Sequence, residues 1–433
     1  MLNIVTPSKT QPHDRLCSEQ EPCAARRSER ERAAGERLGN TRITFPVSDS
    51  PCREPNEGRR HRYAMRDGLR DPQVMPLERV RKCGAVPVSQ RIALMAGHGG
   101  AGYSGLATCG SVWSCPVCAA KISAQRRDEL ARVVQVAVGL GLKVSMLTLT
   151  QRHHAGQDLA ELWDSLQSGW NAVTSGRRWQ EFCAQLGVQG WVKAVEVTHG
   201  SHGWHVHVHV LVISKQDPTS VDTKIRHRRK QGRRRTPYPE EVQRPEDFIA
   251  ERWARGLRKR GVDFIAGSGG LDWQTADSGD EEALGRYVAK MNSSVDGLAN
   301  EATLGGFKKA RKGNRTPFQI LEDFLDTGSE TDLRLWRTYV AASHGRKALT
   351  WSKDLRDWAG MEPEMTDEQI AAQDQCGEVV ALFDHDAWRQ IRTAGAAFLL
   401  DELELHGSDG AYAWLQKQRI HYEIPLVPWS TST

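Results

Sequence analysis

The stretch Trp204-His205-Val206-His207-Val208-His209-Val210-Leu211-Val212-Ile213 decides how the rest of the chain is read. Its strict alternation has the period of a β-strand, with three imidazoles on one face and Val206, Val208, Val210 and Val212 on the other. Imidazole is a common ligand for borderline divalent metals, and two histidines two apart on a strand aim their ring nitrogens at one point above the sheet. One such histidine reads as a solvated polar position; three in alternation read as a metal site. Upstream, Val188 to Val197 also has strand character, and His199-Gly200-Ser201-His202-Gly203 has the composition of a hairpin turn. Glu196 then falls on the antiparallel neighbour, within cross-strand reach of the histidines if the register turns it to their face.

Working outward, 433 residues suggest two or three structural units. The formal charge of +5 is only mildly basic, but the arginines are concentrated in a few runs. No stretch approaches the ~20 uncharged apolar residues that span a bilayer, and Met1 to Gln20 lacks the apolar core of a signal peptide. A cytoplasmic protein with no membrane partner is expected. Nine cysteines is an odd number. With three of them tightly clustered, metal binding or free thiols are expected rather than a disulfide framework. Residues 1–75, rich in Arg, Glu, Ser and Pro without apolar periodicity, read as a disordered leader, with order beginning near Leu77.

Residues 76–125 read as a small zinc module. Cys115-Pro-Val-Cys118 places two thiolates on one ion, Cys109 supplies a third, and Cys83, beside a glycine, is the fourth, with His98 as its competitor. Residues 126–300 read as the core: helices over Ala119 to Val138 and Asp158 to Thr174, a strand over Lys143 to Thr150, a basic insertion at 222–237, a helix around Phe248 to Arg260, and strand-like Val262 to Ala266 and Leu271 to Trp273. Glu281 to Met291 has helical spacing, so Tyr287 and Lys290, three apart, share a face. A tyrosine beside a lysine, downstream of a metal-type strand, is a candidate nucleophile. Residues 301–433 read as a second basic loop, Gly305 to Arg315, and a helical region with helices over Phe318 to Phe324, Leu333 to Ala342 and Trp351 to Gly360. The sequence has no Gly-x-x-x-x-Gly-Lys-Ser/Thr motif, which argues against an ATP-driven motor in this chain.

Cys109-Gly-Ser-Val-Trp-Ser-Cys-Pro-Val-Cys-Ala-Ala-Lys-Ile122, then Glu196 through His209, then Tyr287-Val-Ala-Lys290, resembles the replication initiator (Rep) proteins of rolling-circle plasmids, members of the HUH endonuclease superfamily. Three elements in the family's order make the match specific; it covers Cys83 to Met291. The resemblance implies an α+β fold: an antiparallel, RRM-like HUH sheet with helices packed on one face, preceded by the zinc module and followed by the helical region. It implies that His207 and His209 are the metal pair, Glu196 the third ligand, Tyr287 the nucleophile and Lys290 its following lysine. His205 is left as a ligand, a supporting group or a DNA contact. The implied cofactors are Mg2+ or Mn2+ at the catalytic site and structural Zn2+ on Cys83, Cys109, Cys115 and Cys118. The implied partners are origin DNA, a host helicase and a DNA polymerase. In some relatives a glutamate four residues before the tyrosine activates water. Here Ala283 stands there, and at about 100° per residue neither Glu282 nor Glu281 shares the tyrosine's face.

Competing readings are an HUH transposase or relaxase, a non-catalytic zinc-dependent DNA-binding regulator, and a small-molecule metalloenzyme of the cupin kind. The zinc cluster and the Trp-His-x-His-x-His form favour the initiator over the first. The regulator predicts a dispensable Tyr287, and the metalloenzyme leaves the arginine runs without a role.

Overall fold

A computed structural model describes residues 57–97, 100–226, 240–264, 269–276, 279–280, 282–288, 314–373 and 377–425. Its strands are β1 (Ile92–Gly97), β2 (Gly100–Ser104), β3 (Lys143–Thr150), β4 (Gly190–Gly200), β5 (Gly203–Ser214), β6 (Thr223–Arg226), β7 (Glu240–Gln243), β8 (Leu271–Ala276), β9 (Leu349–Trp351) and β10 (Gly377–Phe383). The helices that position the site are α1 (Glu57–Gly68), α2 (Pro116–Gly139), α3 (Leu159–Val173), α4 (Gly176–Leu186), α5 (Pro245–Arg258), α6 (282–288), α7 (Pro317–Thr327), α8 (Glu330–Ser343), α9 (His385–Ala394) and α10 (Ala396–Lys417).

The histidine strand β5 is the middle strand of a five-stranded antiparallel sheet ordered β8-β3-β5-β4-β9. Alternation along β5 sends Val206, Val208, Val210 and Val212 into one core, against Leu162, Leu166 and Trp170 of α3, Phe182 of α4 and Phe248 and Trp253 of α5. Each such side chain, fully buried, contributes on the order of 2 kcal/mol. Gly256 of α5 lies against the backbone of Gly169 and Ser168 of α3, so any side chain there would force the two helices apart. On the opposite face, the histidines give way to Leu211 and Ile213, which pack with Leu130, Val133, Val134 and Ala137 of α2 and with α6. Helices therefore cover both faces, not one. The imidazole half of β5 is polar, but its aliphatic end needs a cover of its own.

Part of the segment expected to be a disordered leader is structured. Residues 57–68 form α1, whose Met65, with the following Leu69, Val74 and Met75, is buried in the main core. Isolated apolar residues among arginines carried no periodicity, yet they dock on α2 and α10. Nor is the C-terminal third a purely helical region. β9 completes the central sheet beside β4, and β10 pairs with β1 in a three-stranded sheet ordered β10-β1-β2, covered by α9 and α10. Trp351, expected to open a helix, is the last residue of β9, and only Leu355–Trp358 is helical there. Residues 262–264 are not a strand. Most of the basic insertion, 227–239, lies outside the described residues; its flanks pair as β6 with β7.

Candidate metal centre and nucleophile

Gly200 and Gly203 pair at the end of the β4–β5 hairpin with Ser201 and His202 between them; neither of these two takes a positive φ, and Gly203, at φ 84°, is the left-handed residue that follows them. The turn length sets the register. Glu196 stands directly opposite His207, Ala194 opposite His209 and Thr198 opposite His205. Glu196 Oε2 is 2.8 Å from His207 Nε2 and 2.9 Å from His209 Nε2, and the two imidazole nitrogens are 3.0 Å apart. Burial alone would raise the Glu196 carboxyl, but hydrogen bonds from both imidazoles and their charge hold it well below the usual carboxylate range.

Two nitrogens and a carboxylate oxygen in mutual contact form the donor set of a divalent-cation site. Ligands about 2.1 Å from an ion stand about 3.0 Å apart at octahedral right angles and about 3.4 Å apart in a tetrahedron. The observed separations fit three ligands on one face of an octahedron. His209 is further fixed by Thr148 Oγ1, 3.1 Å from its Nδ1, the kind of outer contact that sets a ligand's tautomer.

His205 is not part of this triangle. Its ring stacks on His153 at 4.8 Å, its Nε2 is buried without a hydrogen-bond partner, and burial together with the neighbouring His207 and His153 pushes it down to about 4. Reasoning from sequence missed Thr148 and His153. The first was findable as the cross-strand partner of His209 once β3 was paired, the second as a histidine doublet just past the end of β3.

Tyr287 lies in α6, 8% exposed, in the core that includes Val144, Met146, Leu211 and Ile213 on the histidine face. Burial raises its phenol above the ordinary value; the Arg286 charge opposes this and the charges of Asp272, Asp280 and Asp217 add to it. Asp272 occupies the same cross-strand row as Thr148 and His209, two strands from the histidine and so about 10 Å away by strand spacing. Lys290 and Glu281 lie outside the described residues. Glu282 is exposed and paired with Arg286 at 2.6 Å.

The four cysteines form a second cluster. Cys83 follows a short helix, Cys109 sits in a loop, Cys115 caps α2 and Cys118 lies in its first turn. Their sulfurs are 3.5 Å (Cys83–Cys118), 3.6 Å (Cys109–Cys118) and 3.7 Å (Cys83–Cys115) apart, and none is in a disulfide. Sulfurs bound to zinc at 2.3 Å stand about 3.8 Å apart in a tetrahedron, so the cluster fits that ion. Cys83 takes the fourth corner; His98 lies outside the described residues. Buried Arg66 packs against Gly84 and feels the charge of Cys83 and Cys115, which offsets the negative charge of a tetrathiolate. Through α2, one helix joins the cysteine knot to the cover of the histidine face.

An antiparallel sheet with a Glu/His/His donor set across its central strand and the neighbouring β4, tied by one helix to a four-cysteine cluster, defines an α+β protein with two candidate metal sites. Residues 106–223, which hold both the knot's last three cysteines and the histidine strand, match the family model described as a replication protein. The chain is 27% identical over 383 residues to Protein rep of Streptomyces lividans, covering 75% of this chain and 80% of that one. It is 29% identical over 134 residues to the neomycin resistance protein of Streptomyces cyanogenus, covering 25% of this chain and 31% of the relative. No solved structure gives a significant match. The resemblance to plasmid replication initiators carried by the motifs thus extends across three quarters of the chain. Among the described residues no helix is long and apolar enough to cross a membrane.

Proposed function

We propose that this protein initiates rolling-circle replication by nicking one DNA strand at a plasmid or phage origin and later rejoining it. The observation that carries the reading is the 2.8–3.0 Å convergence of Glu196, His207 and His209 on the sheet face against which Tyr287 is packed. Glu196, His207 and His209 would hold Mg2+ or Mn2+, which when bound would polarise the scissile phosphate and stabilise charge in an in-line transition state.

Tyr287 is the nucleophile. Its phenolic oxygen bonds to phosphorus, the bond from phosphorus to the 3′ oxygen breaks, and the departing oxygen takes up a proton to become a 3′-hydroxyl that a polymerase can extend. Burial works against ionisation of the phenol, so the positive charge of Lys290 has the task of stabilising and orienting the phenolate as its proton passes to solvent. The 5′-phosphotyrosine conserves the ester, and rejoining runs the same exchange backwards without ATP, in keeping with the missing Gly-x-x-x-x-Gly-Lys-Ser/Thr motif. Cys83, Cys109, Cys115 and Cys118 hold structural Zn2+. Origin DNA, a cytoplasmic host helicase and a polymerase complete the reaction, and the arginine-rich segments 224–235 and 305–315 contribute origin contacts.

The test is incubation of supercoiled origin plasmid with the full chain and Mn2+ or Mg2+. The proposal expects open circles from the parent protein and none from Tyr287→Phe. Undiminished nicking by Tyr287→Phe would overturn it.

A further inference from the structure

The sheet face opposite the metal ligands carries a built groove of its own. On β4, Trp191, Lys193 and Val195 point away from Glu196, and α3 runs beside them. Between these elements and the 346–350 segment is a cavity of about 390 Å3, walled by Trp163, Trp170 and Trp191. Three cations line it: Lys193, Arg346 and Lys347. A second depression of about 460 Å3 lies on the other flank of α3 and ends at Lys259 and Arg260. Gln167 and Asn171, one turn apart on the exposed ridge of α3, line both. The one carboxylate there, Asp164, is already paired with Arg346 at 2.9 Å.

Lys193 is the most telling residue of the groove. It is 4% exposed, and its ammonium donates to Gln167 Oε1 at 3.2 Å with no carboxylate in ion-pair reach among the described residues. A buried cation without a counter-charge is costly unless an anion arrives to meet it. Beside it, half-buried Trp191 meets Trp170 edge-on at 4.9 Å, and Arg346 lies over Trp163 at 5.3 Å, two flat surfaces of the kind on which bases stack. Small anions use cations alone, and apolar ligands use indoles alone. Cations on both flanks of an aromatic and amide-bearing ridge suit a polyanion with π-faces.

We infer that this groove is a second nucleic-acid contact that holds single-stranded DNA, its phosphates against Lys193, Lys347, Lys259 and Arg260 and its bases against Trp191 and Arg346. It goes beyond the nicking proposal, since it uses neither Tyr287 nor the histidine face. A strand held there lies on the far side of the sheet from the nick, which keeps an unwound strand out of the rejoining reaction.

The test uses the full chain, without added Mg2+ or Mn2+, and a fluorescent 5-iodouridine-substituted oligothymidylate. Binding is followed by anisotropy and its position by photo-crosslinking and peptide mass spectrometry. The expected result is a crosslink in the peptide bearing Trp191 or the segment 346–350. Lys193→Met should weaken binding about tenfold, and the exposed pair Lys259→Gln with Lys347→Gln should do so without touching the core. The dependence of log affinity on log salt should fall by about 0.7 for each cation removed. Unchanged affinity in both variants, crosslinks confined to the histidine face, or equal competition by duplex DNA or by free nucleotide would each overturn the inference. No cleavage is needed, so its failure and the failure of the nicking proposal are separate results.

Discussion

Replacing Lys193 with methionine should make the protein more stable while weakening the groove. The ammonium is almost wholly buried and has only the Gln167 amide for a partner. Burial pushes it down from its ordinary value near 10.5 to about 8. At about 1.4 kcal/mol per pH unit, that drop corresponds to a cost on the order of 3 kcal/mol for carrying the charge inside. The sign follows from proton binding. Between about pH 8 and pH 10.4 the unfolded chain holds the Lys193 proton and the folded chain does not, so this group makes stability rise with pH across that window. Its cost is fully present below about pH 8 and gone above about 10.4. Methionine has similar length and no charge, so Lys193→Met should gain about 1–3 kcal/mol at pH 7 and almost nothing near pH 10.5. Urea unfolding of both proteins at pH 7, 8.5 and 10 measures the difference, in which every other titration cancels. Destabilisation at pH 7, or a gain that does not shrink with pH, would refute the reasoning.

Other outcomes follow from the two candidate metal-ligand sets. Cys118→Ser should lose the bound zinc, read by metal analysis, and lower the midpoint of thermal unfolding steeply, because metal binding at a structural site is folding free energy. Gly84→Ala places a side chain where the Arg66 guanidinium lies and at a φ of +62°, and should cost about 1–3 kcal/mol in urea unfolding. Glu196→Gln should weaken Mn2+ binding by at least about tenfold in a titration, whereas His205→Ala, outside the triangle, should change it by less than about threefold.

The local pattern of the histidine strand was legible because β-alternation and a glycine-flanked two-residue turn are both written within twenty residues. Once that hairpin closes, the Glu196–His207 pairing follows without further information. The cysteine knot was legible for the same reason, except that Cys83 joins from 26 residues upstream of Cys109. What was hidden depends on distant pairing. A three-residue strand such as β9 has no pattern of its own and exists because β4 offers it a free edge; β10 is ordered by β1, nearly three hundred residues earlier in the chain. Charged residues misled in the other direction. Arg252, in the helix around Phe248 to Arg260, is buried and donates to the Val173 carbonyl at the end of α3, and Arg315 of the second basic loop is taken up by Asp323 and Asp332. The groove beside α3 was invisible because its cations come from β4, α5's end and the 346–350 segment, which meet only in three dimensions.

A covalent adduct is the most direct witness to the proposed action of Tyr287 beside the Glu196/His207/His209 set. Single-stranded origin fragment, full chain and Mn2+, followed by protease digestion and mass spectrometry, should yield one modified peptide, with the 5′-phosphate of the downstream DNA on Tyr287. The adduct should be absent from Tyr287→Phe and from His207→Ala. An adduct on a different residue, or one that survives Tyr287→Phe, would contradict the account.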